Sequence, residues 1–417
     1  MSGARTADVV VIGAGPAGAA AAYWLASHGH EVVVVERRTF PRSKGCGDII
    51  TPRAVRQLID MGLGDDVDHW HPLDAIRTAF TDRRQLIEWP RHAGTARHGL
   101  VVRRRDLDQT VAVNAEQAGA TLLLGHEAIE PVVDRGFVRG AVVRSPLGAT
   151  STIHAPLVVV ADGANSTFGR SLGTFRTRGW PYAAAIRSYW ESPRHAERTM
   201  EMHFDITDRD GIALPGYGWV APVGDGTVNI GVGVLSTARD FKSTNVAHLL
   251  DAFAARIADD WQIEPSTATG VVRVGRIPMG GSVQPTAGPS FLVVGDAAAT
   301  ASPFSGAGID VAYESGRLAA DVVHDAITES GPTALQRYPK LLDERYGEQN
   351  KTGRLWARAL ARPAAMRRLG WLATRSPSSG EGVLRMMTGT LRPDHHVGIP
   401  ETVSRLAATA LRLAPDA

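Results

Sequence analysis

Apolar residues along the chain follow two patterns, which divide it into segments of different architecture. Short apolar runs, typical of strands buried on both faces, lie at 9–12, 157–160 and 291–294 and, after Glu31, in the stretch 31–35. Helical spacing of apolar residues or runs of good helix formers predict helices over 19–28, 52–61, 245–261 and 310–326 and another that ends at 118. From 175 to 290 short strands punctuated by Gly and Pro dominate, at 183–191, 199–204, 218–223, 227–235 and 269–277, and the stretch 76–89 alternates in the same way.

These patterns predict a protein of α/β plus antiparallel β class with two or three domains, as expected for 417 residues. A Rossmann-like domain is predicted to be assembled from the discontinuous segments 1–75, 100–175 and 288–330. An inserted β-sheet domain for the substrate takes 76–99 and 176–287, and a helical, basic C-terminal region takes 331–417.

The segment Asp8–Glu36 has the form of a dinucleotide-binding β-turn-α-β unit. Gly13 is expected to make the tight turn, Gly15 to let the backbone approach a pyrophosphate, and Gly18 to let helix and strand pack closely. The helix N-terminus offers free N–H groups and a positive dipole end to the phosphates. Glu36, at the tip of the second strand, is placed to accept hydrogen bonds from ribose hydroxyls. An ordinary glycine-rich turn in a parallel sheet would leave Glu36 without explanation.

Two later strands also deliver polar turns to the carboxyl edge of the sheet, where ligands collect in open α/β folds. Asp162 follows the strand at 157–160, and Asp296 follows the strand at 291–294, where it suits ribityl or ribose hydroxyls. The glycines at the start of the next helix suit phosphate or ring carbonyl contacts through N–H groups. A ligand held by several distant segments indicates a large, permanently bound flavin rather than a nicotinamide.

A basic, flexible loop with the only cysteine, FPRSKGCGDII at 40–50, follows the second strand. Cys46 is therefore a candidate to face a reactive ring; the alternative is a thiol that only fills a small space. Arg104, within an arginine run beside a helix N-terminus, is a candidate phosphate contact or one of several surface arginines.

Tyr217 and Trp219 lie two residues apart on a predicted strand, so their rings project from the same face. Two large aromatic side chains on one face can wall an apolar ligand. From the pattern alone, a core or interface aromatic pair is the safer interpretation.

Composition and charge narrow the class of protein. Hydrophobic residues make up 44 % and charged residues 21 %, as in soluble globular proteins, and no stretch is long and apolar enough for a transmembrane helix. A single cysteine excludes an internal disulfide and a multi-cysteine metal centre, so no metal site is predicted. The strand at 9–12 leaves no room for a signal peptide, and the compartment predicted is the cytoplasm.

The charge is uneven: residues 351–417 hold eleven Lys and Arg against four Asp and Glu, although the whole chain has a net charge of only +2. Aliphatic residues between these charges favour an anionic surface as partner, with a solvated helical tail as the alternative. No basic–aromatic recognition module is present, so no nucleic-acid partner is predicted.

The motifs together resemble the FAD-dependent geranylgeranyl reductase family, in the wider group that includes para-hydroxybenzoate hydroxylase. GAGPAG at 13–18, Asp162-Gly163 and the Gly295-Asp296…SPFSGAGID stretch carry the resemblance to this FAD-binding group, and KGCGD at 44–48 and GYGWVAP at 216–222 narrow it. Within the family the chain is most similar to the actinobacterial menaquinone reductases, whose LPGYGW, NIGVG and PMGG runs have counterparts here. Departures from the family pattern are Gly45 for proline, Ala221 for phenylalanine and Ala307 for glutamate.

The resemblance implies saturation of an isoprenoid C=C bond, in the side chain of menaquinone or in a geranylgeranyl lipid. It implies FAD as cofactor, an isoprenoid lipid as substrate, an external reductant such as NAD(P)H, and a peripheral contact with the inner face of the cell membrane. Cys46, Tyr217 and Trp219 are the predicted catalytic residues, and Tyr217, Trp219 and Pro222 the predicted substrate contacts. Motifs and resemblance together give FAD contacts at Gly13, Ala14, Gly15, Pro16, Ala17, Glu36, Arg37, Cys46, Gly47, Asp48, Arg104, Ala128, Asp162, Gly163, Gly295, Asp296, Gly306, Gly308 and Ile309.

Two other functions fit parts of the same pattern. An FAD-dependent monooxygenase or halogenase acting on an aromatic substrate would also carry an aromatic-x-aromatic motif before a proline, but a halogenase needs a lysine placed beside the flavin. The four lysines of the chain are Lys44, Lys242, Lys340 and Lys351, and none has an obvious site of that kind. A flavin-bearing scaffold without turnover is the third interpretation.

Overall fold

A computed structural model describes residues 5–90, 94–208 and 210–388, with the backbone alone for 270–273. The strands are β1 Arg5–Thr6, β2 Val9–Ile12, β3 Val32–Glu36, β4 Ile49–Ile50, β5 His71–Leu73, β6 Ala75–Phe80, β7 Arg83–Glu88, β8 Gly99–Val101, β9 Thr121–Leu124, β10 Glu127–Asp134, β11 Phe137–Arg144, β12 Thr150–His154, β13 Leu157–Val160, β14 Phe175–Arg176, β15 Tyr182–Glu191, β16 Thr199–His203, β17 Gly216–Pro222, β18 Thr227–Leu235, β19 Thr269–Pro278, β20 Val283–Gln284 and β21 Phe291–Val293. The helices are α1 Pro16–Ser27, α2 Pro52–Asp60, α3 Gly64–His69, α4 Arg104–Gln117, α5 Thr167–Ser171, α6 Val246–Arg256, α7 Ala258–Trp261, α8 Ile309–Asp325, α9 Arg337–Ala359, α10 Pro363–Arg375 and α11 Pro377–Thr388.

The predicted fold class is confirmed by the sheets. Five parallel strands form the nucleotide sheet in the order β21-β13-β2-β3-β9. Its strands are apolar and buried because helices α1 and α8 pack on it, and α1 and α8 also pack on each other. Seven strands form the inserted sheet in the order β19-β15-β18-β17-β16-β6-β7. Its neighbouring strands are antiparallel except for the parallel pair β16–β6, which joins two distant parts of the chain.

Most element boundaries agree with the sequence patterns, with two informative differences. Helix α1 begins at Pro16, three residues earlier than predicted, because proline is favoured in the first helical turn. Gly29, at φ +86°, follows its end as expected for a helix terminus. The single helix predicted over 245–261 is two helices, α6 and α7, that meet at Ile257.

The described part of the C-terminal region, up to Thr388, is helical as predicted and covers one face of the inserted sheet. Helices α10 and α11 pack on β6 and β7, and side chains such as Met366 and Leu384 join the core of that sheet. These two helices therefore pack against the inserted sheet on one side rather than forming a fully solvated tail. Residues 389–417 of the predicted basic region lie outside the described residues.

Candidate active site

The glycine-rich turn after β2 packs so closely that two of its glycines have no room for side chains. A Cβ on Gly13, whose φ is +103°, would lie 2.5 Å from the carbonyl oxygen of Ala161. A Cβ on Gly18 would lie 1.9 Å from the carbonyl oxygen of Gly13, so this glycine lets α1 pack against the turn. Gly15, in contrast, faces the guanidinium of Arg42, with its nearest atom 3.7 Å from the added Cβ. The turn thus leaves its backbone open on the side where a phosphate would approach.

Glu36 closes this turn from the tip of β3. One carboxylate oxygen accepts a hydrogen bond from the Ala14 amide at 2.9 Å, and the other accepts from the Arg38 amide at 3.0 Å. The carboxylate is buried yet lines the cavity described below. Because each carboxylate oxygen keeps a free lone pair, Glu36 can still accept hydrogen bonds from ribose hydroxyls.

Arg42 is a residue of this site that the sequence analysis did not assign. Its Nη1 lies 3.0 Å from Oδ2 of Asp108, and its Nη2 donates to the carbonyl oxygen of Ala14 at 3.4 Å. Its Nε is buried without a hydrogen-bond partner among the described residues. A fixed cation with an unused donor, placed against the open side of the glycine turn, fits the pyrophosphate of a dinucleotide. The sequence signal was only a basic residue in the loop after β3.

Arg104 is buried at the start of α4, where it makes a two-pronged bond to Asp108, with N···O distances of 2.7 and 3.0 Å. Burial on its own lowers the pKa of Arg104, but the adjacent Asp108 and the Cys46 thiol hold it well above its ordinary value. Arg104 is therefore a permanent cation beside Cys46 in the cavity wall. Among the described residues, the side chain of its exposed neighbour Arg105 pairs with Asp106 alone.

The loop that carries Cys46 is held by an amide that reaches it from the inserted sheet. Asn229 of β18 is fully buried, and its Nδ2 donates to the carbonyl oxygen of Cys46 at 3.0 Å and to Asp48 at 2.8 Å. Its Oδ1 accepts from the indole N–H of Trp219 at 3.0 Å. One side chain thus connects the thiol-bearing loop to the predicted substrate wall. Sequence reasoning noted Asn229 only as part of a family-like run, although a lone amide inside a buried apolar strand was a usable signal.

Asp48 lies behind the cavity wall, fully buried at φ +61°. It accepts hydrogen bonds from the Tyr189 hydroxyl and from Asn229. Burial raises the pKa of Asp48, while these two hydrogen bonds and the charge of Arg187 act in the opposite direction. The guanidinium carbons of Arg103 and Arg187 lie 4.2 and 4.3 Å from the ring centre of Tyr189, so the cluster links the loop to both domains.

Tyr217 and Trp219 project from the same face of β17, with ring centres 6.1 Å apart. The Tyr217 hydroxyl donates to the carbonyl oxygen of Ser305, at 2.5 Å, which ties the wall to the segment before α8. Burial, followed by the nearby charge of Cys46, raises the pKa of Tyr217, so the phenol keeps its proton. The ring of Phe204, with its centre 6.3 Å from that of Tyr217, extends the aromatic surface.

The glycine turn, the Cys46 loop and the Tyr217–Trp219 wall border one cavity of about 880 Å³ with two chemically different ends. The glycine turn, Glu36, Arg42 and Asp296, whose carboxylate pairs with Lys44 at 3.0 Å, lie at the polar end. The other end is apolar and rich in methionine, a side chain that adapts to irregular apolar ligands. It is lined by Ile76, Trp89, Met200, Met202, Phe204, Leu360, Met366, Leu369, Leu384, Met386 and Met387.

Most predicted site residues line this cavity, although they come from widely separated segments. Those in the lining are Gly13, Gly15, Pro16, Ala17, Glu36, Arg37, Cys46, Gly47, Arg104, Ala128, Asp162, Gly163, Tyr217, Trp219, Asp296, Gly306, Gly308 and Ile309. Four others lie close to it in the chain but outside its lining, namely Ala14, Asp48, Pro222 and Gly295. For Asp48 the reason is its burial beneath the Cys46 loop, where it acts on the site through Asn229.

The glycine turn, the Glu36 carboxylate and the Arg42 guanidinium form an arrangement that fits a dinucleotide. Residues 6–340 match the family model described as FAD binding domain, and the chain belongs to that family. It is an FAD-dependent oxidoreductase with reductases as relatives.

Two groups of curated reductases are similar to the chain over most of its length. A menaquinone reductase of Mycolicibacterium smegmatis is 37 % identical over 407 residues, which is 97 % of both chains. A menaquinone reductase of Mycobacterium tuberculosis is 36 % identical over 94 % of both chains. A digeranylgeranylglycerophospholipid reductase of Methanosphaera stadtmanae is 30 % identical over 82 % of this chain and 85 % of its own. The resemblance inferred from the motifs is thereby confirmed.

Solved structures share the fold. A geranylgeranyl bacteriochlorophyll reductase-like protein of Thermoplasma acidophilum superposes with a TM-score of 0.77 at 23 % identity, covering 97 % of this chain and 99 % of its own. A flavin-dependent brominase superposes with a TM-score of 0.76 at 17 % identity, covering 98 % and 99 %. Because reductases and a halogenase share this fold, the substrate has to be argued from the site itself.

Proposed function

We propose that the protein saturates a C=C bond of an isoprenoid chain, in the side chain of menaquinone or in a geranylgeranyl lipid. The observation that carries the proposal is the single cavity that runs from the dinucleotide turn to a methionine-rich apolar end. A flexible hydrocarbon chain fits such an end better than a compact aromatic substrate does. The relatives named as menaquinone and digeranylgeranylglycerophospholipid reductases support the same substrate class.

We assign the FAD contacts to the turn Gly13–Ala17, Glu36, Arg42 and the glycines before α8. The crowded glycine turn and the unused Nε of Arg42 support this fit for a diphosphate-linked dinucleotide. When bound and reduced, FAD supplies a hydride equivalent to one alkene carbon. The remaining work falls to side chains, which bind the chain, exclude water and place a proton at the other carbon.

Tyr217 and Trp219 are proposed to orient the isoprenoid. Asn229 is proposed to hold the Trp219 indole and the Cys46 loop in fixed positions relative to each other. Two groups are placed to deliver this proton: Cys46, beside the cation of Arg104, and the Tyr217 phenol, whose raised pKa keeps it protonated. The hydrogen bond to the carbonyl oxygen of Ser305 fixes the orientation of the Tyr217 phenol. We propose these two groups as the alternative proton donors.

The proposed partners are an isoprenoid lipid and an external reductant such as NAD(P)H. None of the helices in the described ranges combines the length and hydropathy needed to cross a bilayer. We propose that the protein works from the cytoplasmic side, at the surface of the membrane that contains its lipid substrate.

The experiment that tests the function is an anaerobic turnover. Purified protein is reduced with dithionite, menaquinone is added in detergent, and the product is analysed by mass spectrometry. A gain of one or more pairs of hydrogens in the side chain is expected, and Trp219→Ala is expected to lower the yield. Unchanged menaquinone, together with an oxygenated or halogenated aromatic product after air is admitted, would instead identify a monooxygenase or halogenase.

The apolar end of the cavity predicts which chain lengths are accepted. Leu369→Trp replaces a leucine of the cavity wall by a larger indole side chain, which narrows the apolar end. Turnover of a menaquinone with a long polyprenyl chain should therefore fall about tenfold or more. A substrate with a short prenyl chain should be reduced almost as fast as by the parent. The measurement is kcat/KM for both substrates in detergent.

The matched control for this substitution is Leu372→Trp, which changes the same residue type on the outward face of α10. It should leave both rates unchanged. An equal loss for the long and short substrates in the Leu369 variant would show that the apolar end does not hold the chain.

A further inference from the structure

The outward side of α10 combines basic and apolar residues at helical spacing. Arg367, Arg368, Trp371, Leu372 and Arg375 are all exposed and lie three or four residues apart, so they form one face. Trp371 and Leu372 keep 39 % and 38 % of their surface exposed. The Arg375 guanidinium lies 4.7 Å from the centre of the Trp371 ring. These five residues are called the basic-aromatic face.

The charge of this face is entirely positive. Helix α10, Pro363–Arg375, carries three Arg and no Lys, Asp or Glu. Within the described ranges, none of the three arginines of the face makes an ion pair. Positive charge that is not neutralised by the protein itself favours an anionic partner.

The opposite side of the same helix belongs to the active site. Met366 and Leu369 line the apolar end of the cavity and pack with Ala373 in the core of the inserted sheet. An α-helix with its side chains is about 10–12 Å across. The proposed isoprenoid pocket and the basic-aromatic face are therefore separated by the thickness of one helix.

We propose that the basic-aromatic face docks on an anionic lipid bilayer, with α10 lying in the plane of the interface. Arginine binds lipid phosphates, and tryptophan prefers the boundary between headgroups and hydrocarbon. This orientation places the apolar end of the cavity next to the hydrocarbon from which an isoprenoid chain would enter. The choice of a bilayer rests on the proposed lipid substrate and on the charge of the face.

Charge also argues against two other binding partners for the basic-aromatic face, a second copy of the chain and the chain's own C-terminal segment. A second copy that used the same face around a two-fold axis would oppose arginine to arginine. The segment 389–417 of this chain has three basic and three acidic residues, so it offers no excess of negative charge. An anionic bilayer offers a continuous negative surface.

The test is co-sedimentation of the full-length holoprotein with phosphatidylcholine vesicles, with and without phosphatidylglycerol. Binding should require phosphatidylglycerol and weaken as salt is added. Arg367→Gln/Arg368→Gln should weaken it on the order of 25-fold, from about fivefold for each arginine near a membrane surface. Trp371→Ala should weaken it as well. The matched control is Arg83→Gln/Arg84→Gln, an exposed arginine pair on β7 that should bind vesicles like the parent.

Three results would overturn the proposal. The first is equal binding of the Arg367/Arg368 variant and the control, or no phosphatidylglycerol dependence in the parent. The second is a change in mass of that variant by analytical ultracentrifugation, which would assign the face to a second copy. The third is protection of Arg367 and Arg368 from phenylglyoxal labelling without vesicles, which would assign it to the chain's own segment.

Turnover in detergent separates this proposal from the proposed function. The Arg367/Arg368 variant should reduce detergent-solubilised menaquinone at the parental rate, because its substitutions lie outside the cavity. If the parent binds vesicles but reduces no prenyl substrate, the function fails and the docking face stands. If turnover is normal but docking is absent, only the docking face fails.

Discussion

Arg104→Met is expected to lower the free energy of unfolding of the flavin-free protein by about 3–5 kcal/mol, because it leaves a buried carboxylate with one partner fewer. Asp108 has no exposed side-chain surface and would keep only Arg42, at 3.0 Å. The same substitution removes the cation beside Cys46 and is expected to reduce the flavin content of the purified protein. Urea unfolding of the flavin-free protein and flavin absorbance of the holoprotein measure the two effects.

The adjacent Arg105→Met is the matched control, since the Arg105 side chain is 59 % exposed and contacts only Asp106. It should change stability by no more than about 0.5 kcal/mol and leave flavin content unchanged. Similar stability of the two variants would show that the Arg104–Asp108 pair does not hold α4 to the cofactor site.

Glu201→Gln is expected to cost about 3 kcal/mol of stability at pH 7. Glu201 is buried on the side of the inserted sheet that faces α6 and α7. It accepts hydrogen bonds from Arg77 at 2.8 Å, His203 at 2.9 Å and Trp261 at 3.1 Å. Burial acts to raise the pKa of Glu201, but its bonds to His203 and Arg77 outweigh burial and lower it to about 2. The ionised carboxylate is thus favoured by the folded state.

The pH dependence follows from the direction of this shift. A carboxyl whose folded pKa is lowered stabilises the protein above its unfolded pKa, which is 4.5 here, and this stabilisation disappears as the pH falls through about 2. The difference in the free energy of unfolding between the parent and Glu201→Gln should therefore narrow progressively below pH 4.5. Urea unfolding at a series of pH values measures this difference. Glu88→Gln, an exposed carboxylate on β7, is the control and should show almost no gap at any pH. A constant gap down to pH 3.5 would contradict the role of Glu201.

The nucleotide half of the site was predictable because its signals are local. The turn from Gly13 to Ala17 and the strand that ends at Glu36 lie in one short stretch, and their spacing determines their geometry. The acid Asp296 was found because it directly follows a buried strand. In the first case the residues that act together are close in sequence. In the second case the acid is next in sequence to the strand that positions it.

Contacts between distant segments were not predictable in the same way. Asn229 reaches the carbonyl oxygen of Cys46 across 183 positions, and the Tyr217 hydroxyl reaches Ser305 across 88. Arg42 looked like one of many arginines until folding placed it beside Asp108. No spacing rule connects such pairs, because they meet only after distant segments of the chain have packed together.

For helix α10 the sequence pattern predicted the role of the exposed side but not that of the buried side. Its arginines are prominent in the charge distribution, so the sequence directed attention to a surface. The apolar positions between them were interpreted only as part of a region that contacts an anionic surface, yet two of them, Met366 and Leu369, form part of the cavity wall. A binary pattern tells which side is buried but not what that side encloses.

The order of strands in the nucleotide sheet has a consequence for synthesis of the protein on the ribosome. Strand β2 is made first, its neighbour β13 follows at Leu157–Val160, and the edge strand β21 follows only at Phe291–Val293. Until then β13 has an unpaired edge, and the glycines before α8 have not yet been made. The nascent chain must therefore keep this parallel edge from aggregating while strands β15 to β19 of the inserted sheet are translated. The proposed flavin site is complete only after the glycines before α8, so a chain cut short inside the inserted sheet would lack part of it.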